Sequence, residues 1–321
     1  MTSPRLAVAT DAGRMYARTP GGEPLVPSIT NVLGVYDKEL AWWDASRAVK
    51  ACITHAHRIV RMRDDERPPR GSTRNTWGAY WQSMNAMEDW LAEEAERDRT
   101  ERARLGDLVH DYAEQVALAQ LGQVSSEQVT AARARASAPL DQGGGAGPMC
   151  DSFDQFWADY RPRVLQPEAT VWNHTVGYAG TTDLICELVV GGRPTTCVLD
   201  YKGKRGLFKK DGSRKAKDLH EETGMQLAAA VHAEEVWVPP HEATGQAATW
   251  QPFPYRIEVA LGVGLAPDGY AVRQYNLADP TIWRTFTGLC QAWQFRRAGR
   301  GTVSDLLTGP DSITLPGTGR A

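Results

Sequence analysis

The chain has 321 residues, 42% of them hydrophobic and 23% charged, an ordinary globular composition with enough length for one large domain or two small ones. Its net charge of −3 gives no overall attraction to polyanions, so any nucleic-acid contact has to come from local patches. Five scattered cysteines (Cys52, Cys150, Cys186, Cys197, Cys290) form no CxxC pair, which speaks against a disulfide framework or a zinc module; with no signal peptide and no apolar run near the ~20 residues that span a bilayer, the sequence predicts a soluble, cytoplasmic protein without a membrane partner.

In chain order, RLAVATDAGRMYARTPGGEPLVPSITNVLG alternates weakly around a Gly-Gly-Glu-Pro break, which predicts a β-hairpin and a turn, with Ser28 and Thr30 as candidate helix caps. A helical pattern then runs from Ile29 to about Val60. The stretch RMRDDERPPRGSTRNTW is polar and proline-containing, with Arg61, Arg63, Arg67, Arg70 and Arg74; it reads as a loop that either tracks phosphates or is a solvated linker balanced by Asp64, Asp65 and Glu66. Residues 77 to 119 read as one long helix or two. There, Leu105, Leu108, Val109, Tyr112 and Val116 share one apolar face. Gly106, His110, Ala113 and Ala117 form a second stripe, small except at the histidine, as expected where a helix lies close to a neighbour and offers it one polar group. A helical histidine by itself is more often a surface or satisfied core residue than a ligand.

Residues 120 to 150 are small, polar and Gly-rich at their end, which predicts a mobile connection and the best internal boundary. The expected organisation is a hairpin and helical region over 1–150, a core over 151–297 and a disordered tail from 298 to 321. A patch with Phe153, Phe156, Trp157 and Tyr160 leads into a strand from Glu168 to Val176. Then comes GYAGTTDLICELVVGGRPTTCVLDYKGK, two strands joined by a Gly-Gly turn. Each strand delivers a carboxylate, Asp183 on the first and Asp200 on the second. Asp200 and Lys202 point to the same face while Cys197 and Leu199 face the other. Two acids on neighbouring strands beside a lysine suit a hard divalent cation and a phosphate, and both flank apolar runs, where unpaired anions are costly without a cation. A surface ion pair between Asp200 and Lys202 is the plainer alternative. Glu168 is either a further acid near the metal or a solvent-facing strand residue.

From Lys202 the chain turns basic: KGKRGLFKKDGSRKAK holds eight Lys or Arg against the single acid Asp211. Rooted beside the carboxylates, Lys204, Arg205, Lys209, Lys210 and Arg214 supply the countercharge that lets an anionic polymer approach. A helix over Asp218 to about Glu235 carries Gln226 as its embedded polar residue, and Ala228, Ala229 and Ala230 let it pack closely on a sheet. VWVPP, a loop-like stretch over 241 to 251 and a hairpin with a Pro-Asp-Gly turn follow. A last helix from about Pro280 to Arg297 turns Ile282, Phe286, Leu289, Cys290 and Trp293 inward.

Gly106-x-x-x-His110 on a helix, Gly180-Thr-Thr-Asp183 in a strand, Asp200-Tyr-Lys202 in the next and Gln226 on the helix after it resemble, in that order, the PD-(D/E)XK nuclease superfamily, in particular its RecB-like exonucleases of phages and CRISPR systems. Pro27-Ser-Ile-Thr-Asn-Val-Leu before a Trp-bearing helix looks like the start of phage members. The resemblance covers most of residues 25 to 235. It implies an α/β restriction-endonuclease-like core, a central mixed sheet flanked by helices, with the N-terminal helical region as one wall of the cleft. It further implies Mg²⁺ or Mn²⁺ held by His110, Asp183, Asp200 and the Tyr201 carbonyl, with Asp183, Asp200, Lys202 and Gln226 catalytic. Tyr178 and Tyr201 would stack on bases or pack in the core. The family often has a tyrosine four residues after the glutamine, where this chain has Ala230. Its iron-sulfur members carry a late cysteine group, and Cys290 alone predicts no cluster. The implied function is metal-dependent hydrolysis of single- or double-stranded DNA, exonucleolytic rather than endonucleolytic, beside phage or mobile-element recombination, replication or repair proteins in the host cytoplasm. A catalytically inactive DNA-binding protein on the same fold is the alternative.

Overall fold

The computed structural model describes residues 4–36, 41–140, 144–208, 213, 219–240, 245 and 247–298. Its frame is a mixed seven-stranded sheet in the order β10-β9-β6-β5-β4-β7-β8: β4 Arg163–Asn173, β5 Tyr178–Val190, β6 Arg193–Gly203, β7 Glu235–Val238, β8 Thr249–Pro252, β9 Val259–Ala266 and β10 Gly269–Tyr275. The fold is therefore α/β, as expected. Gly191 and Gly192 both take positive φ, 58° and 81°, which is what a tight two-residue turn between right-twisted strands requires. β6 pairs antiparallel with β5 and parallel with β9, with Asp200 opposite Gly262, so the strand bearing the D-x-K motif is buried in the middle of the sheet.

Two apolar layers cover this sheet. On one face Leu184, Cys186, Cys197, Leu199 and Tyr201 meet Val109, Tyr112, Ala113, Phe153 and Phe156 from α5 Glu94–Gln120 and α7 Gly147–Tyr160. On the other, Ile185, Val198 and Ala260 meet Ile29, Leu227, Ala229 and Phe286 from α1 Ile29–Leu33, α8 Glu221–Val231 and α9 Pro280–Ala298. Both faces of β5 and β6 are thus paid for by helices, which is why these strands read as apolar runs rather than alternating ones.

The N-terminal hairpin forms as predicted, β1 Ala7–Thr10 against β2 Gly13–Tyr16, with β3 Val26–Pro27 added. Ser28 is the α1 cap, accepting from the Asn31 N–H; Thr30 lies inside the helix. The Asn31 amide donates to the Ala12 and Arg14 carbonyls and so ties the hairpin to α1.

Several expectations change. The helical pattern from Ile29 to Val60 is broken into α1, α2 Ala41–Thr54 and α3 Ala56–Asp64, because Gly34 caps α1. The arginine loop is shorter than predicted, since α3 continues to Asp64 and α4 (Arg74–Ala92) starts at Arg74 behind its Thr73 cap. The acidic-basic stretch is two helices, α4 and α5, meeting at Glu93. The largest difference falls on residues 120 to 150. Instead of a loose connection they contain α6 Ser126–Ser137, opened by a capping box between Ser125 and Gln128, with Ala132 and Ala136 wholly buried against the core. Small side chains let this helix approach closely without any large apolar stripe. The boundary expected at residue 150 falls inside α7. The strand expected from Glu168 starts at Arg163, and the loop over 241 to 251 includes the start of β8. The tail beyond 298 lies outside the described residues.

Candidate metal centre

A cleft of about 300 Å³ opens at the C-terminal end of β6, lined among others by His110, Glu168, Asp183, Asp200, Lys202 and Gln226. Chain elements far apart in sequence bring these together. α5 presents His110 because Val109, Tyr112 and Ala113 on its neighbouring faces are buried in the core. Glu168 sits on β4 directly across from Asp183, between the pairs Pro167↔Leu184 and Ala169↔Thr182 and just after a register shift in that strand. Its φ is 43°, in the left-handed region that a non-glycine residue enters at a cost and that clusters at functional sites. Opposed residues of an antiparallel pair share a face, so the Glu168 carboxylate faces the same cleft as Asp183.

One donor atom from each of His110, Glu168 and Asp183 lies within 4.8 Å of the others. His110 Nδ1 is 3.2 Å from Asp183 Oδ1, and His110 Nε2 is 3.1 Å from the Tyr201 carbonyl oxygen. A carbonyl only accepts, so Nε2 carries a proton, and a carboxylate at Nδ1 favours a second one. Burial would lower the histidine, but Asp183 outweighs it and raises the pKa to about 9. Asp183 in turn also accepts from the Tyr201 N–H at 2.5 Å; burial opposes ionisation, and His110, Lys202 and that N–H together hold the carboxyl below its usual value. Glu168 is pushed well above the ordinary range, first by burial and then by Asp183.

Beside this trio stands a second group. Asp200 is 1% exposed. Its Oδ1 accepts from Lys202 Nζ at 2.9 Å and from Gln226 Nε2 at 2.5 Å, while Gln226 Oε1 accepts from Lys202 Nζ at 3.1 Å. Oδ2 lies 2.7 Å from the same ammonium but receives no aligned hydrogen bond. Burial, against the pull of Lys202, raises Asp200 to about 6; Lys202 is raised despite burial because Asp200 and Asp183 face it.

The donor set fits a hard divalent cation. Three carboxylates, an imidazole and a backbone carbonyl surround a space with two cationic groups, one of which, His110, is a cation only by holding a proton that a metal would displace. His110 and Asp183 lie side by side, while the Tyr201 carbonyl meets the other nitrogen of the imidazole, away from Asp183. Glu168, left open by the sequence, joins them; Asp200, expected as a ligand, is bonded to Lys202 and Gln226. Gln226 is hydrogen-bonded to Asp200 and Lys202. Tyr178 and Tyr201 are both core residues, 0% and 3% exposed, with Tyr178 donating to the Ala229 carbonyl and Tyr201 edge-on to Phe153, so neither stacks on a base. Of the basic loop, Lys204 is partly buried and Arg205 exposed; Lys209, Lys210 and Arg214 lie outside the described residues.

Arg14 and Thr181, together with Ser28 and Thr30, which the sequence marks only as helix caps, line the same cleft. Their only signal was position: β2 and α1 close over β5, where Ser28 bridges Ala179 and Tyr16 bonds Thr181 at 2.9 Å. No family model matches the chain, and no curated protein matches its sequence. Among the described residues no helix is long and apolar enough to cross a membrane.

Proposed function

We propose that the chain is a divalent-metal-dependent nuclease that hydrolyses DNA phosphodiester bonds, of the PD-(D/E)XK type that its motif order resembles. The observation that carries this reading is the convergence of His110, Glu168 and Asp183 donors within 4.8 Å of one another in a cleft that also holds Asp200, Lys202 and Gln226. His110, Glu168 and Asp183 would hold Mg²⁺ or Mn²⁺, the imidazole tilting the balance toward Mn²⁺, with the Tyr201 carbonyl orienting the ring through its other nitrogen. A bound ion of this kind lowers the pKa of water and neutralises charge developing on a phosphoryl group.

The chain's own residues do the rest. Lys202 brings a fixed positive charge to the phosphate, and its ammonium is held in place by Asp200 and Gln226. Asp200 cannot wander, because β6 is hydrogen-bonded on both sides. Lys204 and Arg205, at the mouth of the strand, meet the flanking backbone. An exonuclease acting in phage or mobile-element recombination, replication or repair is the form the resemblance favours.

The test is end-labelled single- and double-stranded DNA with Mn²⁺, Mg²⁺ or EDTA. Degradation should need the metal, and Asp183→Asn or Lys202→Ala should abolish it while salt-sensitive DNA binding survives. Digestion that persists in EDTA rules the mechanism out, and binding with no cleavage under any metal favours the inactive DNA-binding alternative.

A further inference from the structure

The arginine-rich stretch before α4 is not used by the metal centre. Trp77, Tyr80 and Trp81 follow it at i, i+3 and i+4 spacing, which puts them on one helix face. Their rings form a continuous cluster: Trp77 and Trp81 are stacked with centroids 6.5 Å apart, and Tyr80 meets both edge-on at 6.0 and 5.2 Å. Such a cluster usually faces a core, yet Trp81 is 55% exposed.

Its charge surroundings are one-sided. The Arg67 guanidinium lies 6.0 Å from the Trp77 ring centroid, and Arg63, bonded to Asp64, stands within electrostatic reach of Tyr80. Arg61 pairs with Glu66. Arg58, Arg70 and Arg74 are exposed and have no carboxylate partner among the described residues. Three acids, Asp64, Asp65 and Glu66, thus stand against six arginines from Arg58 to Arg74. An exposed ring, Trp81, backed by the half-buried Trp77 and Tyr80 on a helix preceded by exposed arginines, is complementary to one polymer in particular, an extended single strand of nucleic acid, whose unpaired bases stack on the ring while its phosphates meet the arginines. A duplex hides its base faces and an acidic peptide has none.

We propose that the α3–α4 surface is a second nucleic-acid contact, separate from the metal cleft, that binds single strands through Trp77, Trp81, Arg67, Arg70 and Arg74. The surface is joined to the cleft through α5, whose first residue, Glu94, stands about 24 Å from His110 at ~1.5 Å rise per residue.

The experiment measures polarisation of labelled dT20, rU20 and a 20-base-pair DNA duplex with the full chain in EDTA, so that cleavage does not enter. Oligomers dT20 or rU20 should bind more tightly than the duplex and quench tryptophan fluorescence. Trp81→Ala and the loop variant Arg70→Glu/Arg74→Glu should each weaken single-strand binding about tenfold or more, with Trp81→Phe close to the parent and duplex binding unmoved. The loop variant guards against a folding effect of Trp81→Ala, since both its positions are exposed. Equal binding of strand and duplex, unchanged affinity in both variants, displacement by polyglutamate as readily as by dT20, or a dimer that Trp81→Ala dissociates would each overturn the proposal. Failure of metal-dependent cleavage with dT20 binding intact would sink the nuclease reading alone.

Discussion

Glu168→Gly separates the cost of the site from its use. In the parent a glutamate holds φ at 43°, a conformation that costs an L-residue roughly 1–2 kcal/mol and glycine nothing. Glycine gives back about 0.5–1 kcal/mol by making the unfolded chain freer. The substitution also takes a partly buried carboxyl from beside Asp183, the two effects that hold its proton on. Without metal the variant should therefore be more stable by about 0.5–1 kcal/mol, a rise in Tm of roughly 1–4 °C for a chain of this size. With metal the order should reverse. An ion at about a hundred times its Kd stabilises the parent by ~2.7 kcal/mol, and the variant, short of one donor, should gain much less. Thermal unfolding of both proteins in EDTA and along a Mn²⁺ series reads this directly. A variant less stable than the parent in EDTA would refute the strain argument, and parallel rises with Mn²⁺ would remove Glu168 from the ligand set.

Further outcomes follow from single contacts. A methyl on Gly180 would stand 2.4 Å from Ile29 Cδ1, so Gly180→Ala should cost about 1–3 kcal/mol in denaturant unfolding, and adding Ile29→Ala should recover part of it. Ser125→Ala removes the oxygen that caps α6 and should cost about 1 kcal/mol if that helix is as integral as its buried alanines imply; no change would mark it as dispensable. Glu235 is held below the usual carboxyl range chiefly by Arg18, helped by His174. A lowered folded pKa contributes stability that is present above the unfolded carboxyl value and is lost as pH falls through the folded one. Glu235→Gln should accordingly cost up to about 1 kcal/mol at neutral pH, and the two unfolding curves should merge in acid below about pH 4.

The pairing of Asp200 with Lys202 was legible because strand side chains alternate at fixed two-residue spacing, so the two had to share a face wherever β6 lay. His110 was legible as the polar member of a small-residue stripe, since Ala113 and Ala117 are buried by close packing. Glu168 was not decidable, because the residue it faces on β5 depends on the register of β4, which shifts between Val164 and Gln166, and alternation alone left its direction open. Residues 120 to 150 misled for a physical reason: alanine packs helices tightly while contributing almost no amphipathic contrast, and the one readable sign was the Ser125-x-x-Gln128 capping box. The contribution of Arg14, Ser28 and Thr30 to the cleft depended on long-range docking of the hairpin, which no local pattern encodes.

The position of β6 also has a temporal meaning. Its parallel neighbour β9 is not synthesised until some sixty residues after Asp200, and parallel pairing requires a crossover to be closed before it is rewarded. A ribosome that has delivered every motif residue from His110 to Gln226 has still not made the strand that pairs with β6 at Asp200. The assembled cleft is thus a property of the finished domain, complete only once β9 has closed the sheet beside β6.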